Sequence, residues 1–90
     1  MIPATIRRQA EALDATIEDD SDGGWAVYQI TAPYRQRWVD GGPCCLRVGW
    51  RAGCPDSRQA QREAWEDATA RMACGLRPAT AREAFEAAED

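Results

Sequence analysis

Cys44-Cys45-Leu46-Arg47-Val48-Gly49-Trp50-Arg51 has the period-two pattern of a half-buried strand. Successive side chains of a strand point to opposite faces, so Cys44, Leu46, Val48 and Trp50 share one face and Cys45, Arg47, Gly49 and Arg51 the other. The first face suits a helix-covered core and the second carries two cations. An antiparallel sheet with one buried and one solvated side produces this alternation.

Reading backward from there, Asp40-Gly41-Gly42-Pro43 has the composition of a turn. Tyr34-Arg35-Gln36-Arg37-Trp38-Val39 reads as a strand, and Ala32-Pro33 separates it from Trp25-Ala26-Val27-Tyr28-Gln29-Ile30-Thr31, rich in aromatic and β-branched residues. Three consecutive strands with short links predict an antiparallel meander. Reading forward, Asp56 and Gln59 have the spacing of a capping box. Ala60, Ala64, Trp65, Ala68 and Met72 then form an apolar helical stripe. Gly75 is placed for a C′ residue with Leu76 as its hydrophobic contact, and Pro78 stops continuation. Thr80 and Glu83 form a second capping box for a short last helix carrying Ala81, Ala84, Phe85 and Ala88. At the other end, Thr5 reads as the N-cap of a helix with Ile6, Ala10, Leu13 and Ile17 on one side. The run Glu18-Asp19-Asp20-Ser21-Asp22-Gly23-Gly24 terminates it.

The expected fold is therefore α+β, one domain over residues 1–90, in the order helix, three-stranded antiparallel meander, long helix, short helix. Its core would take Ile6, Leu13, Ile17, Val27, Trp38, Leu46, Val48, Trp50, Trp65, Met72 and Phe85. Ninety residues with 44% hydrophobic and 29% charged content support one core and leave little chain for a deep cleft.

The net charge of −4 is unevenly spread. Residues 1–24 hold two Arg against six acids, 25–62 six Arg against two acids, and 63–90 three Arg against seven acids. A basic middle lies between acidic ends, and steering of a partner depends on such local patches. No His, Lys or Asn occurs and all eleven basic residues are Arg, the side chain that contacts carboxylates and phosphates bidentately.

Several chemistries lose their residues. Without His or Lys there is no imidazole base, no Ser-His or Cys-His pair and no Schiff-base lysine. Glu63, Glu66 and Asp67 fall on the polar face of the long helix among Arg62 and Arg71, as a solvated face with i,i+4 pairs would. The glycines lie in turns and build no phosphate loop. Cys44, Cys45, Cys54 and Cys74 lack paired knuckle spacing and have no His to join them, so zinc is not expected. They read as small, reduced core residues, with a Cys44–Cys54 or Cys45–Cys54 disulfide left open. No catalytic residue, metal or cofactor is predicted. Neither a signal peptide nor a membrane-length apolar run is legible, which predicts a cytoplasmic protein that does not engage membranes.

Arg35, Arg37, Arg47 and Arg51 would project from one side of the sheet if the second and third strands pair. Tyr28 or Trp25 would add an aromatic surface beside them. A solvated sheet face and a binding face account for these four about equally.

The order helix, three strands, helix resembles the double-stranded RNA-binding domain, and Gly53-Cys54-Pro55-Asp56-Ser57-Arg58-Gln59-Ala60-Gln61-Arg62-Glu63-Ala64 is similar to that family's second-helix start. That resemblance implies nucleic-acid binding, here through the Arg cluster. In size, acidity and architecture the chain also resembles small phage-encoded anti-CRISPR inhibitors. This resemblance implies a non-catalytic protein that binds a host protein or ribonucleoprotein complex, such as a CRISPR effector. Asp19, Asp20, Asp22, Glu63, Glu66 and Asp67 would then compete for a basic nucleic-acid groove. A non-catalytic protein-binding inhibitor or adaptor, monomeric or homodimeric, is the leading expectation, with a small nucleic-acid-binding domain second.

Overall fold

The computed structural model describes residues 2–40, 45–83 and 85. Its elements are α1 (Ala4–Ala12), β1 (Thr16–Asp19), β2 (Trp25–Thr31), β3 (Gln36–Trp38), β4 (Cys45–Arg51), α2 (Ser57–Ala73) and β5 (Leu76–Pro78). Residues 81–83 and 85 add a short C-terminal helical turn. The fold is α+β, as the alternation at β4 predicts.

β4 pairs antiparallel with β2, with Trp25 opposite Arg51, Val27 opposite Gly49 and Gln29 opposite Arg47. Leu46, Val48 and Trp50 of β4 are buried on the inner side with Tyr28 and Ile30 of β2. α2 covers that side by laying Trp65, Ala68 and Met72 against it. Tyr28, Trp50 and Trp65 meet as a closed aromatic trio, with ring centroids 5.8, 5.2 and 5.7 Å apart. Tilted and edge-on pairs at these distances add about 0.5–1.5 kcal/mol each beyond the area they bury.

The third strand of this sheet is β1, not the 34–39 segment; the order is β1-β2-β4. Helix α1 stops early because Asp14 takes φ 57, and the Asp14 and Ala15 amides turn back onto the carbonyls of Glu11 and Ala10. This is a Schellman closure with Asp in the left-handed position usually given to Gly. Ile17 therefore leaves the helix, sits opposite Ile30 in the ladder and is half-buried. Gly23 at φ 57 then makes the two-residue hairpin loop with Gly24, closed by paired bonds of 3.1 and 3.0 Å between Asp22 and Trp25.

Strand 34–39 shortens to β3 and pairs with β5 in a separate ladder, Trp38 opposite Leu76 and Arg37 opposite Arg77. The cause is local. Pro33 and the Tyr34-Arg35 turn, with Arg35 at φ 64, swing the chain away from β2 before pairing resumes. Trp38 still reaches the core, 1% exposed, and donates its indole N–H to the Ile30 carbonyl at 3.0 Å.

Other expectations need correction. Phe85 is 65% exposed and Val27 lies half-buried on the outer face, so neither is core, while Ala10, Tyr28, Ile30 and Ala68 are. Leu13 is half-buried against the core. Thr5 is inside α1, which Pro3 precedes as N-cap, and Asp56 caps α2 without a side-chain hydrogen bond. The Thr80–Glu83 box does form, with the Thr80 amide 2.9 Å from Glu83 Oε1 and the Glu83 amide 3.2 Å from Thr80 Oγ1. Gly75, at φ 88, closes α2 as expected. Gly41, Gly42, Pro43, Cys44, Ala84 and Ala88 lie outside the described residues.

Glu83 also ties the C-terminal turn to the β3–β5 ladder. Arg77 grips its carboxylate bidentately at 2.8 and 3.0 Å, and Arg37 lies 3.7 Å away. The Arg77 contact, seconded by the Thr80 amide, holds the Glu83 carboxyl at about 2, below its ordinary 4.5.

Two outcomes are expected. Trp65→Ala removes one corner of the aromatic trio and should lower the urea-unfolding free energy by about 3–5 kcal/mol. Because the folded pKa of Glu83 is depressed, its contribution is present above pH 4.5 and is lost as pH falls toward 2. The stability difference between the wild type and Glu83→Gln should therefore be constant near neutrality and shrink across that window. A difference independent of pH from 6 to 2 would contradict the assignment.

Candidate functional site

Hydrogen-bond parity fixes what the sheet shows to the outside. The Asp22–Trp25 bonds and the Asp20 amide on the Val27 carbonyl at 2.8 Å point the backbone groups of Trp25 and Val27 toward β1. Gln29 and Thr31 follow by alternation. Their β4 partners therefore form non-hydrogen-bonded pairs, the closer kind, in which facing side chains touch most readily. These pairs make the outer face: Trp25 with Arg51, Val27 with Gly49, and Gln29 with Arg47.

Trp25 is 55% exposed there. A Cβ at Gly49 would come within 3.3 Å of the Ala26 carbonyl and 3.6 Å of a Val27 methyl, so the strands approach closely there and Gly49 puts no side chain over Val27. The result is a shallow apolar strip flanked by two guanidiniums. Arg47 lies 3.7 Å from Asp20, which also accepts from Gln29 Nε2 at 3.1 Å. Both partners of that ion pair are well exposed, so the pair holds little energy and yields readily to a competing carboxylate. Arg51 makes no ion pair among the described residues. The combination of an exposed indole, a β-branched residue and two Arg has the make-up of an interface centre.

The twelve residues singled out from the sequence do not converge. Trp25, Arg47, Arg51 and Asp20 share the outer face. Asp19 and Asp22 stand in the β1–β2 hairpin; the hydroxyl and amide of Ser21 hold the Asp19 carboxyl below its usual range. Tyr28 is 6% exposed and belongs to the aromatic core, because even-numbered β2 side chains face α2. Arg35 sits in the turn before β3, its guanidinium 5.3 Å over the Tyr34 ring. Arg37 is 8% exposed beside Glu83. The expected four-Arg sheet face is thus a two-Arg face, since β3 is not in that sheet. Glu63, Glu66 and Asp67 lie exposed on α2, which covers the opposite side of the sheet, with Asp67 3.6 Å from Arg71.

Sequence reasoning did not find one concavity. A groove of about 540 Å³ runs between the start of α1 and α2, floored by Ile6 and Trp65 and rimmed by Arg58, Arg62 and Glu66. Among the described residues, no group of three His, Cys, Asp or Glu is placed to hold a metal ion. No helix among them is long and apolar enough to cross a membrane. Cys45 opens β4, and Cys54 lies three residues beyond its far end. That strand spans about 20 Å and the three residues after it recover at most about 10 Å, so these two cannot form a disulfide. Cys45 Sγ instead faces the Thr31 hydroxyl at 3.6 Å.

Comparison with protein-family models, curated proteins and solved structures gives no match. No relative lends this site a chemistry, and its geometry alone bears on its use.

Arg47 and Arg51 stand outside the core, so the double variant Arg47→Glu/Arg51→Glu should unfold within about 1 kcal/mol of wild type in urea. Arg37→Ala removes a buried guanidinium that bonds Glu83 and should cost about 1.5–3 kcal/mol. Equal effects of the two would contradict the division into an outer face and a buried clasp.

Proposed function

We propose that the chain is a non-catalytic protein-binding inhibitor or adaptor that docks through the outer sheet face. The observation that supports this reading best is the exposed Trp25 beside Arg51, a cation without an ion-pair partner among the described residues, across a glycine gap from Arg47. Arg and Trp dominate interface hot spots because each contributes a large, well-oriented contact area. Within this reading the partner is a host protein or nucleoprotein complex, such as a CRISPR effector, and the chain belongs to a phage or mobile element. The hairpin acids Asp19, Asp20 and Asp22 would assist by facing a basic groove on that partner.

The nucleic-acid reading has weaker support. It drew on four Arg on one face and on three consecutive paired strands, whereas two Arg share that face and β3 pairs elsewhere. Asp20 and Glu18 stand beside Arg47 and Gln29, where they would repel a phosphate backbone.

Capture of partners from a native lysate, with and without nuclease, tests the reading. Recovery of a discrete protein complex should survive nuclease and fall at least tenfold with Arg47→Glu/Arg51→Glu. Recovery that disappears with nuclease and leaves bound RNA or DNA would sink it in favour of the nucleic-acid alternative.

A further inference from the structure

The two edges of the main sheet are built differently. β1 is a four-residue edge that ends in the exposed Glu18 and Asp19, with the exposed Asp20 next in the chain. Short length and charge are the usual protections of a sheet edge. β4 is seven residues long, and no strand among the described residues pairs with its other side. The parity that sets the outer face also sets this edge. Leu46, Val48 and Trp50 spend their backbone groups on β2, so the N–H and C=O groups of Arg47, Gly49 and Arg51 point away from the sheet. The same three residues put two guanidiniums and a side-chain gap on the outer face. The edge therefore offers main-chain donors and acceptors, flanked by positive charge, with no side chain of its own at Gly49 between the two guanidiniums.

Resting on the protein-docking reading, we infer that the β4 edge takes an extended acidic segment of the partner as an added strand. The strand's alternate carboxylates would lie beside Arg47 and Arg51, and its intervening apolar residues would fall on the inner side beside Leu46, Val48 and Trp50. Main-chain pairing supplies affinity in this mode and the alternate side chains supply selectivity. A second copy of the chain is the wrong occupant. Antiparallel β4–β4 pairing about Gly49 sets Arg47 opposite the other copy's Arg51, and neighbouring registers still gather four guanidiniums along one ladder. Like charges facing across a ladder destabilise it. The Arg pair thus excludes self-association while admitting an acidic strand.

The probe is a capped peptide of alternating Glu and Val, about eight residues long, added to the full chain and followed by amide hydrogen exchange. Exchange at Arg47, Gly49 and Arg51 should slow at least tenfold at saturating peptide, with little change at Leu46 and Val48. The same peptide N-methylated at alternate residues, on the amides that would face β4, should lose the effect, and so should an alternating Lys and Val peptide. Unchanged exchange at Arg47 and Gly49, or equal protection by the N-methylated peptide, would overturn the inference. So would protection that appears with rising protein concentration and no peptide, since that would assign the edge to a second copy. If Arg47→Glu/Arg51→Glu abolishes partner capture while those amides stay unprotected in the captured complex, strand addition fails and the docking face stands. If capture is indifferent to the double variant, the docking reading itself fails.

Discussion

The contact of Tyr28, Trp50 and Trp65 joins the main sheet to its covering helix. It fastens α2 to the sheet, and through strand alternation it decides which side of β2 and β4 faces water. With Tyr28 and Trp50 turned inward, Trp25, Val27, Arg47 and Arg51 have to face outward. A slip of one residue in β4 would turn Arg47 and Arg51 inward and Trp50 outward, and a slip in β2 would expose Tyr28, so either would break the trio. The exposed interface-like strip is thus a direct consequence of how the core is packed.

A second tier of order rests on Trp38 and Glu83. Trp38 inserts from β3 under the sheet and bonds the Ile30 carbonyl, which anchors a ladder that shares no strand with the main sheet. Glu83 gathers Arg77, Arg37 and the Thr80 amide around one carboxylate and draws the C-terminal turn onto that ladder. Arg37 and Arg77 thereby have structural roles, and Arg47 and Arg51 are left as the cations of the outer face. A charge count along the chain cannot make that distinction, because it depends on which Arg finds a carboxylate after folding.

What could be read from the residues follows the same division. The alternation of Leu46, Val48 and Trp50 with Arg47, Gly49 and Arg51 is a strong period-two signal, and both faces of β4 are as it predicts. The helical stripe of Trp65, Ala68 and Met72 and the stop at Gly75 are equally clear. β1 was hidden because Ile17 falls four residues after Leu13 and so fits a helix, while the helix actually ends on Asp14 in a left-handed conformation that favours Gly. Gly23-Gly24 reads as a helix terminator in the sequence and forms a hairpin loop in the fold. Arg37 and Tyr28 depart from expectation for different reasons: the Tyr34-Arg35 turn keeps 34–39 out of the sheet beside β4, and alternation along β2 puts Tyr28 on the side opposite Trp25. The groove between α1 and α2 had no signal in the sequence, since it arises from two helices meeting across sixty residues of chain.

In the proposed docking mode the outward side of the sheet, and not the helical side, meets the partner. Hydroxyl-radical footprinting of the chain, free and in a purified complex, reads this directly, because the four tryptophans report different places. Trp25 alone among them should be readily oxidised in the free protein and become protected on binding, with Trp38, Trp50 and Trp65 protected in both states. Continued oxidation of Trp25 in the complex, with new protection on the exposed residues of α2, would contradict it.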